Sequence, residues 1–292
     1  MNISIIDIGT KSLKHYIFKI FDSDKELIHF QRFSEVNLGA DAEMSPDTEE
    51  RLLSTIKKCL DLNQELNVEK LNLVGTEFFR KSKQAEEIIS KIKTLTGVDV
   101  VILDHEKEAF YLYNGFVGLL NIDDNFAATN IGGGSTEIIV GNNYNMVYSQ
   151  KLDFGVNFLK KSFCDEKKDW DSLDEFLEKN ITKYDNNIKK FFITGVLDFL
   201  SIVAPKLGFK FIDSSLPGHP FELDINTYRF LVEKLRETEI DKLRSFYEKD
   251  PDFANNVAIG QSVYLKVAEK LGVDYIVPSN NDLTDGIINE MV

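Results

Sequence analysis

Two short polar segments, each set between apolar runs, constrain the fold of this chain more than any other feature. The first is Ile5–Lys14 (IIDIGTKSLK) and the second is Thr129–Glu137 (TNIGGGSTE). Each consists of an apolar strand, an acidic or amide residue followed by Ile-Gly, and a short polar turn, and a second strand follows. The chain is therefore predicted to contain two similar β-hairpins with polar tips.

The tips of these hairpins have the composition of phosphate-binding loops. Glycines without a Cβ let consecutive backbone N–H groups converge on an anion, and Ser135 and Thr136 add donors. Glu137 can help to hold a hydrated divalent cation. A glycine-rich β-turn without a ligand is the alternative. Neither segment opens a helix, so a nucleotide P-loop and a dinucleotide fingerprint are both disfavoured.

Two related hairpins so far apart suggest two half-domains, each holding one side of a phosphate chain and its metal. We therefore predict an α/β fold with two actin-like (ribonuclease H-like) domains facing across a central cleft. Within that superfamily the chain resembles the exopolyphosphatase and guanosine pentaphosphate phosphatase family. The resemblance covers most of the chain and is carried by six blocks in order: Asp7–Lys14, Gly75–Arg80, Glu106–Ala109, the glycine run, Leu152–Val156 and Leu283–Ile288.

This resemblance, read together with the residue types, gives a candidate site. The phosphate-binding candidates are Gly9, Thr10, Lys11, Ser12, Lys14, Arg80, Gly132, Gly133, Gly134, Ser135 and Thr136. The candidate ligands for Mg²⁺ (or Mn²⁺) are Asp7, Asn130 and Glu137. Asn130 stands where the family has an aspartate, so one negative charge is lost and metal affinity should fall unless Asp7 and Glu137 suffice. Four further basic residues are either additional phosphate contacts or solvated surface residues: Lys81, Lys83, Lys160 and Lys161.

A predicted helix near residues 105–118 supplies the candidate catalytic group. Asp104 can cap this helix, and Glu108 then lies beside its apolar face. Partial burial there should raise the pKa of Glu108 towards that of a useful general base. Glu108 also falls on the catalytic glutamate of the family that the chain resembles. His105 is predicted to be exposed to solvent.

Charge and hydropathy limit the classes of partner. A net charge of −14 disfavours binding to nucleic acid or to an anionic membrane, because a polyanion would be repelled. No apolar run has membrane-spanning length, and the first residues lack a signal-peptide core, so we expect a cytoplasmic protein. The resemblance leaves a homodimer open.

Alternating strand and helix patterns fill the rest of the chain. Strands are predicted near 2–8, 15–21, 26–34, 71–75, 99–103, 126–130, 137–141, 146–152 and 274–277. Helices are predicted near 48–62, 83–96, 105–118, 155–163, 171–191, 195–206, 226–247, 253–271 and 282–292. The helix at 48–62 should be capped by Asp47 or Thr48. The expected domains are 1–122, with the C-terminal helix 281–292 packed back on it, and 123–280.

The function expected from these features is hydrolysis of a terminal phosphate by a glutamate-activated water, with Mg²⁺. The substrate would be inorganic polyphosphate or guanosine pentaphosphate. A binding or sensory protein that has lost efficient chemistry is one alternative. A kinase or chaperone-like ATPase of the same superfamily is another, although the Glu108 block favours attack by water.

Overall fold

In the computed structural model of this protein, the described residues are 1–22, 24–36, 38, 44–121, 124–165, 167–184 and 187–291. Contacts divide it into two compact units. The first comprises Met1–Lys107, Gly132–Gly134 and Ile288–Val292, and the second comprises Glu108–Ile131 and Ser135–Ile287. The domain boundary expected at 122 and 123 falls outside the described residues, and the expected boundaries stay a prediction.

A five-stranded sheet forms the first unit, and the hairpin lies at its centre. Its strands and helices are β1 (Asn2–Ile8), β2 (Leu13–Phe21), β3 (Asp24–Phe33), α1 (Pro46–Glu65), β4 (Lys70–Gly75), α2 (Glu77–Lys81), α3 (Ala85–Thr96) and β5 (Val100–Ile102). The strand order is β3-β2-β1-β4-β5, with β1 antiparallel to β2 and parallel to β4. Ile6 and Ile8 on β1 belong to the same buried cluster as Leu52 and Ile56 on α1.

Helix α1 begins earlier than the sequence pattern predicted. Ser45 is its N-cap: the Ser45 side chain accepts a hydrogen bond from the Thr48 backbone N–H at 3.2 Å. Pro46 occupies the first turn, where its missing N–H has no intrahelical partner to lose. The prediction of Asp47 or Thr48 as the cap was therefore wrong.

A seven-stranded sheet organises the second unit, in the order β10-β11-β12-β9-β6-β7-β8. Its first elements are α4 (His105–Asn114), which begins in the first unit, β6 (Asn125–Ile131), β7 (Thr136–Gly141), β8 (Met146–Leu152), α5 (Val156–Phe163), α6 (Trp170–Asn180), β9 (Ile188–Thr194) and α7 (Leu197–Lys206). The later ones are β10 (Ile212–Asp213), β11 (Phe221–Asp224), α8 (Ile225–Glu237), α9 (Ile240–Phe246), α10 (Pro251–Ala254), α11 (Val257–Leu271), β12 (Tyr275–Ser279) and α12 (Leu283–Asn289).

The helix predicted at 171–191 is wrong in its second half. The helix ends at Asn180, and residues 188–194 form β9, which pairs in parallel with both β6 and β12. Phe191, Phe192 and Ile193 are fully buried there. Consecutive apolar residues suit a strand that is covered on both faces, and such a run does not distinguish a strand from a helix by period alone.

Three further boundaries differ from the predictions. The helix predicted at 105–118 ends at Asn114, and the one predicted at 226–247 is broken at Thr238, whose backbone is extended (φ −77°, ψ 133°). Helix α2 and strands β10 and β11 were not predicted. Among the described residues, no helix is both long and apolar enough to cross a membrane.

Candidate functional site

The first hairpin closes tightly around a four-residue turn. Ile8 pairs with Leu13, and the Gly9 N–H donates to the Ser12 carbonyl at 3.1 Å. Thr10 at the tip is buried, and its hydroxyl has no hydrogen-bond partner among the described residues. Because a buried hydroxyl without a partner is unfavourable, an oxygen-rich ligand at this tip would satisfy it.

At the base of this turn, Asp7 lies across the hairpin from Lys14. Their Oδ2 and Nζ atoms are 3.7 Å apart, and both side chains are largely buried. Lys14, expected to contact phosphate, is thus also the counter-ion of Asp7. The first hairpin therefore presents a buried ion pair next to its tip.

The second hairpin has the same turn length but a different set of side chains. Ile131 pairs with Thr136, and Asn130 lies across from Glu137. Glu137 is buried and accepts hydrogen bonds from the Ser135 hydroxyl at 2.7 Å and from the Asn130 amide nitrogen at 3.4 Å. The Thr136 hydroxyl donates to the carbonyl of Phe154 at 2.9 Å, so it ties the hairpin to the segment after β8.

The oxygen and the nitrogen of the Asn130 side-chain amide are both hydrogen-bonded. Its Oδ1 accepts from the Thr194 hydroxyl at 3.1 Å, while its nitrogen points to Glu137. Thr194 is not among the site residues predicted from the sequence. In this orientation Asn130 positions Glu137, and its oxygen would have to leave Thr194 to bind a cation directly.

Helix α4 brings a second carboxylate to Glu137. Asp104 caps this helix by accepting from the Lys107 N–H at 2.8 Å. Glu108 is buried, as its place beside the apolar face predicted, and its carboxylate comes within 4.8 Å of that of Glu137. His105 stands one turn earlier and is partly buried, so the prediction that it is exposed was wrong.

Two buried carboxylates this close repel one another unless a cation or a shared proton lies between them. Carboxylate and amide oxygens are also the ligands that Mg²⁺ prefers. Glu137 therefore offers a carboxylate that fits a hard divalent cation, and a cation bound there would relieve its repulsion with Glu108.

Arg80, the candidate phosphate-binding arginine, lies on the short helix α2. Its Nη2 is 2.8 Å from Glu77 Oε2, and its Nη1 donates to the carbonyl of Leu103. The other oxygen of Glu77 is paired with Lys81. Burial opposes ionisation of Glu77, but the hydrogen bonds from Lys81 and Arg80 outweigh it and lower the pKa of this carboxyl.

Glu77 was missed at the sequence level, although a signal was present. Glutamate followed by basic residues three and four positions later is the spacing at which charges meet on one helix face. Five residues are, however, too few to show a helical pattern in the sequence.

The family comparison is clear. Residues 12–292 match the model of the Ppx/GppA phosphatase family. The chain belongs to this family. A bifunctional 3-dehydroquinate synthase/phosphatase from Fusobacterium nucleatum is 26% identical, over 98% of this chain and 46% of that protein. A guanosine-5'-triphosphate,3'-diphosphate pyrophosphatase from Photobacterium profundum is 28% identical, over 55% of this chain and 33% of that protein. The chain thus spans less than half the length of these curated relatives.

Solved structures agree with the fold. A Ppx/GppA family member from Aquifex aeolicus has a TM-score of 0.81 at 23% identity, covering 100% of this chain and 97% of that one. An exopolyphosphatase from Cytophaga hutchinsonii has a TM-score of 0.85 at 19% identity, with the same coverage. The predicted two-domain actin-like fold is confirmed.

Proposed function

We propose that this protein is a Mg²⁺-dependent phosphohydrolase that releases the terminal phosphate of inorganic polyphosphate or guanosine pentaphosphate. The observation that carries the proposal is the buried pair of carboxylates, Glu108 and Glu137, in a member of the Ppx/GppA family. The names of the two relatives, a phosphatase and a guanosine-5'-triphosphate,3'-diphosphate pyrophosphatase, favour a phosphate ester or anhydride as the substrate.

In this proposal the two hairpin tips and Arg80 bind phosphate oxygens. The backbone N–H groups of the run Gly132–Gly134 are the donors, and the Thr10 hydroxyl gains the partner that it lacks. Asp7 and Glu137 would be the ligands of the divalent cation. Asn130 keeps Glu137 in place through the hydrogen bond described above.

Glu108 then acts as the general base. It accepts a proton from a water molecule whose oxygen attacks the terminal phosphorus, and the bond from that phosphorus to its bridging oxygen breaks. The shortened polyphosphate, or guanosine tetraphosphate, leaves with the bridging oxygen. The cation would supply neutralisation of phosphate charge. Little covalent chemistry is asked of the protein, since positioning and charge neutralisation dominate phosphoryl transfer.

Phosphate release by the purified protein, from long-chain polyphosphate and from guanosine pentaphosphate, tests this with and without Mg²⁺. We expect metal-dependent release that falls about 100-fold or more in Glu108→Gln, because the base is lost while its shape is kept. Glu106→Gln is the matched control, since Glu106 is exposed in the same first turn of α4, and it should retain the wild-type rate. A Glu108→Gln variant as fast as the wild type would refute the assignment.

A second candidate function is supported by Asn130. Its amide nitrogen donates to Glu137, so this position offers one negative charge fewer than a carboxylate would. A protein that binds phosphate chains without turning them over would show a raised melting temperature with polyphosphate and no phosphate release. Release of phosphate in the same samples would eliminate this candidate.

A further inference from the structure

The contact between Glu77 and Arg80 has a consequence for ligand binding. Both oxygens of the Glu77 carboxylate are engaged by cations, Oε2 by the Arg80 guanidinium at 2.8 Å and Oε1 by the Lys81 ammonium. The side chains of Glu77 and Arg80 are 7% and 15% exposed, so water screens this pair poorly. The guanidinium of Arg80 is thus already paired with an anion, the Glu77 carboxylate.

The same side chain lies against the glycine run. A Cβ added to Gly134 would come within 2.7 Å of Glu77 Cγ, and the next nearest atoms are also those of Glu77. The approach is this close only because position 134 has no side chain. Glu77 is therefore packed between two elements assigned to phosphate binding, Arg80 and the tip of the second hairpin.

A carboxylate bound to a guanidinium and an ammonium resembles a phosphoryl group in its charge and in its pair of acceptor oxygens. We propose that Glu77 occupies the place of one phosphoryl group on Arg80 and Lys81, and that a phosphate ligand must displace it to bind there. Glu77 is then a residue that limits the affinity of this subsite for phosphate. This inference rests on the proposed function, since it takes Arg80 as a phosphate contact.

The expected consequence is weak binding of a single phosphate. Every ligand loses the same interaction energy by displacing Glu77, and a chain of phosphoryl groups offsets that loss through its other contacts, whereas orthophosphate has none. Return of Glu77 to the two cations would also favour departure of the orthophosphate product. Glu77 thus keeps the affinity for orthophosphate low, while a chain still binds through its other contacts.

Calorimetric titration with orthophosphate tests this, because orthophosphate cannot be hydrolysed further. We expect Glu77→Gln and Glu77→Ala to bind it about tenfold more tightly than the wild type, since each removes a charged competitor. Glu86→Gln removes the same charge from an exposed position in the first turn of α3 and should leave the affinity unchanged. The gain should disappear in the double variant Glu77→Ala/Arg80→Ala.

Orthophosphate binding by both Glu77 variants that is equal to or weaker than that of the wild type would overturn the inference. The hydrolysis assay distinguishes a failure of this inference from a failure of the proposed function. Release of phosphate from polyphosphate without any gain in orthophosphate affinity refutes the role of Glu77 alone. A gain in affinity in a protein that releases no phosphate supports the role of Glu77 and refutes the hydrolase.

Discussion

The two hairpins have the same turn length and strand pairing, but their side chains carry different charges. Each closes a four-residue turn, Ile8 to Leu13 in one and Ile131 to Thr136 in the other. Each first strand is also paired in parallel with a later strand, β1 with β4 and β6 with β9. The order β3-β2-β1-β4-β5 in the first sheet recurs as β8-β7-β6-β9-β12 in the second, where β10 and β11 are additions.

The difference lies at equivalent positions beside the turns. In the first hairpin Asp7 faces Lys14, and the pair is internally neutral. In the second, Asn130 faces Glu137, and the acid is near Glu108. The turn of each hairpin is suited to binding phosphate. The side chains of the second hairpin carry an excess of negative charge, which a cation would neutralise.

The largest difference that we predict concerns pH. His15 on β2 is buried where the second hairpin has Ile138, and its Nε2 contacts Ser4 Oγ and Asn63 Oδ1. Burial lowers the pKa of His15 to about 4, opposed by the Asn63 hydrogen bond and aided by His29. Its stabilising contribution is complete above the unfolded-state pKa near 6.5 and is lost as the pH falls towards 4.

Between pH 7.5 and 4.5, the wild type should therefore lose about 2 to 3 kcal/mol more free energy of unfolding than His15→Gln. Urea denaturation at both pH values measures this. His29→Gln changes a half-buried histidine on the neighbouring strand. It should reduce the loss of unfolding free energy at low pH by a smaller amount than His15→Gln does. Equal losses for the wild type and His15→Gln would show that burial of His15 does not make the first unit sensitive to acid.

The next largest effect is expected on the free energy of unfolding when Gly134 is substituted. The equivalent residue of the first hairpin is Lys11, so that turn already carries a Cβ at this position. In the second hairpin a Cβ would meet Glu77 Cγ at 2.7 Å. Gly134→Ala should lower the free energy of unfolding by about 2 kcal/mol through overpacking, measured by urea denaturation.

Gly260→Ala is the control for this substitution. It lies within α11, and apart from its chain neighbours and the backbone of its own helix no atom lies within 4 Å of the added methyl group. Alanine there should stabilise the protein by about 0.5 to 1 kcal/mol through helix propensity. Similar effects of the two substitutions would mean that the glycine run does not require close approach.

The smallest effect is expected when Asn130 is made acidic like its equivalent, Asp7. Asn130→Asp replaces the donor to Glu137 by a like charge, so the metal-free protein should be destabilised by about 1 kcal/mol. Mg²⁺ should relieve the repulsion and bind about tenfold more tightly. Thermal melting with and without Mg²⁺ and calorimetric titration measure the two effects.

Asn125→Asp adds the same charge at the other end of β6 and should not change Mg²⁺ affinity. If Asn130→Asp is destabilising by the same amount with and without Mg²⁺, the second hairpin does not hold the cation.

Local patterns were sufficient for much of the fold. Both hairpins were predicted because their strands are joined by short turns, so that period, turn residues and pairing all lie in one stretch of sequence. The cap of α4 at Asp104 was found for the same reason. By contrast, the local pattern predicts a helix through residue 191, where β9 begins at Ile188, because the partners β6 and β12 are distant in sequence and decide the conformation of β9 through long-range pairing.

The sequence by itself therefore determined the repeated hairpins, their polar tips and the family, since these depend on residues that are close along the chain. Tertiary structure decided which side chains meet. It placed Glu108 beside Glu137, Thr194 beside Asn130, and Glu77 against Gly134. Such contacts depend on how helices and strands pack, and no local periodicity encodes the distance between two side chains far apart in the chain.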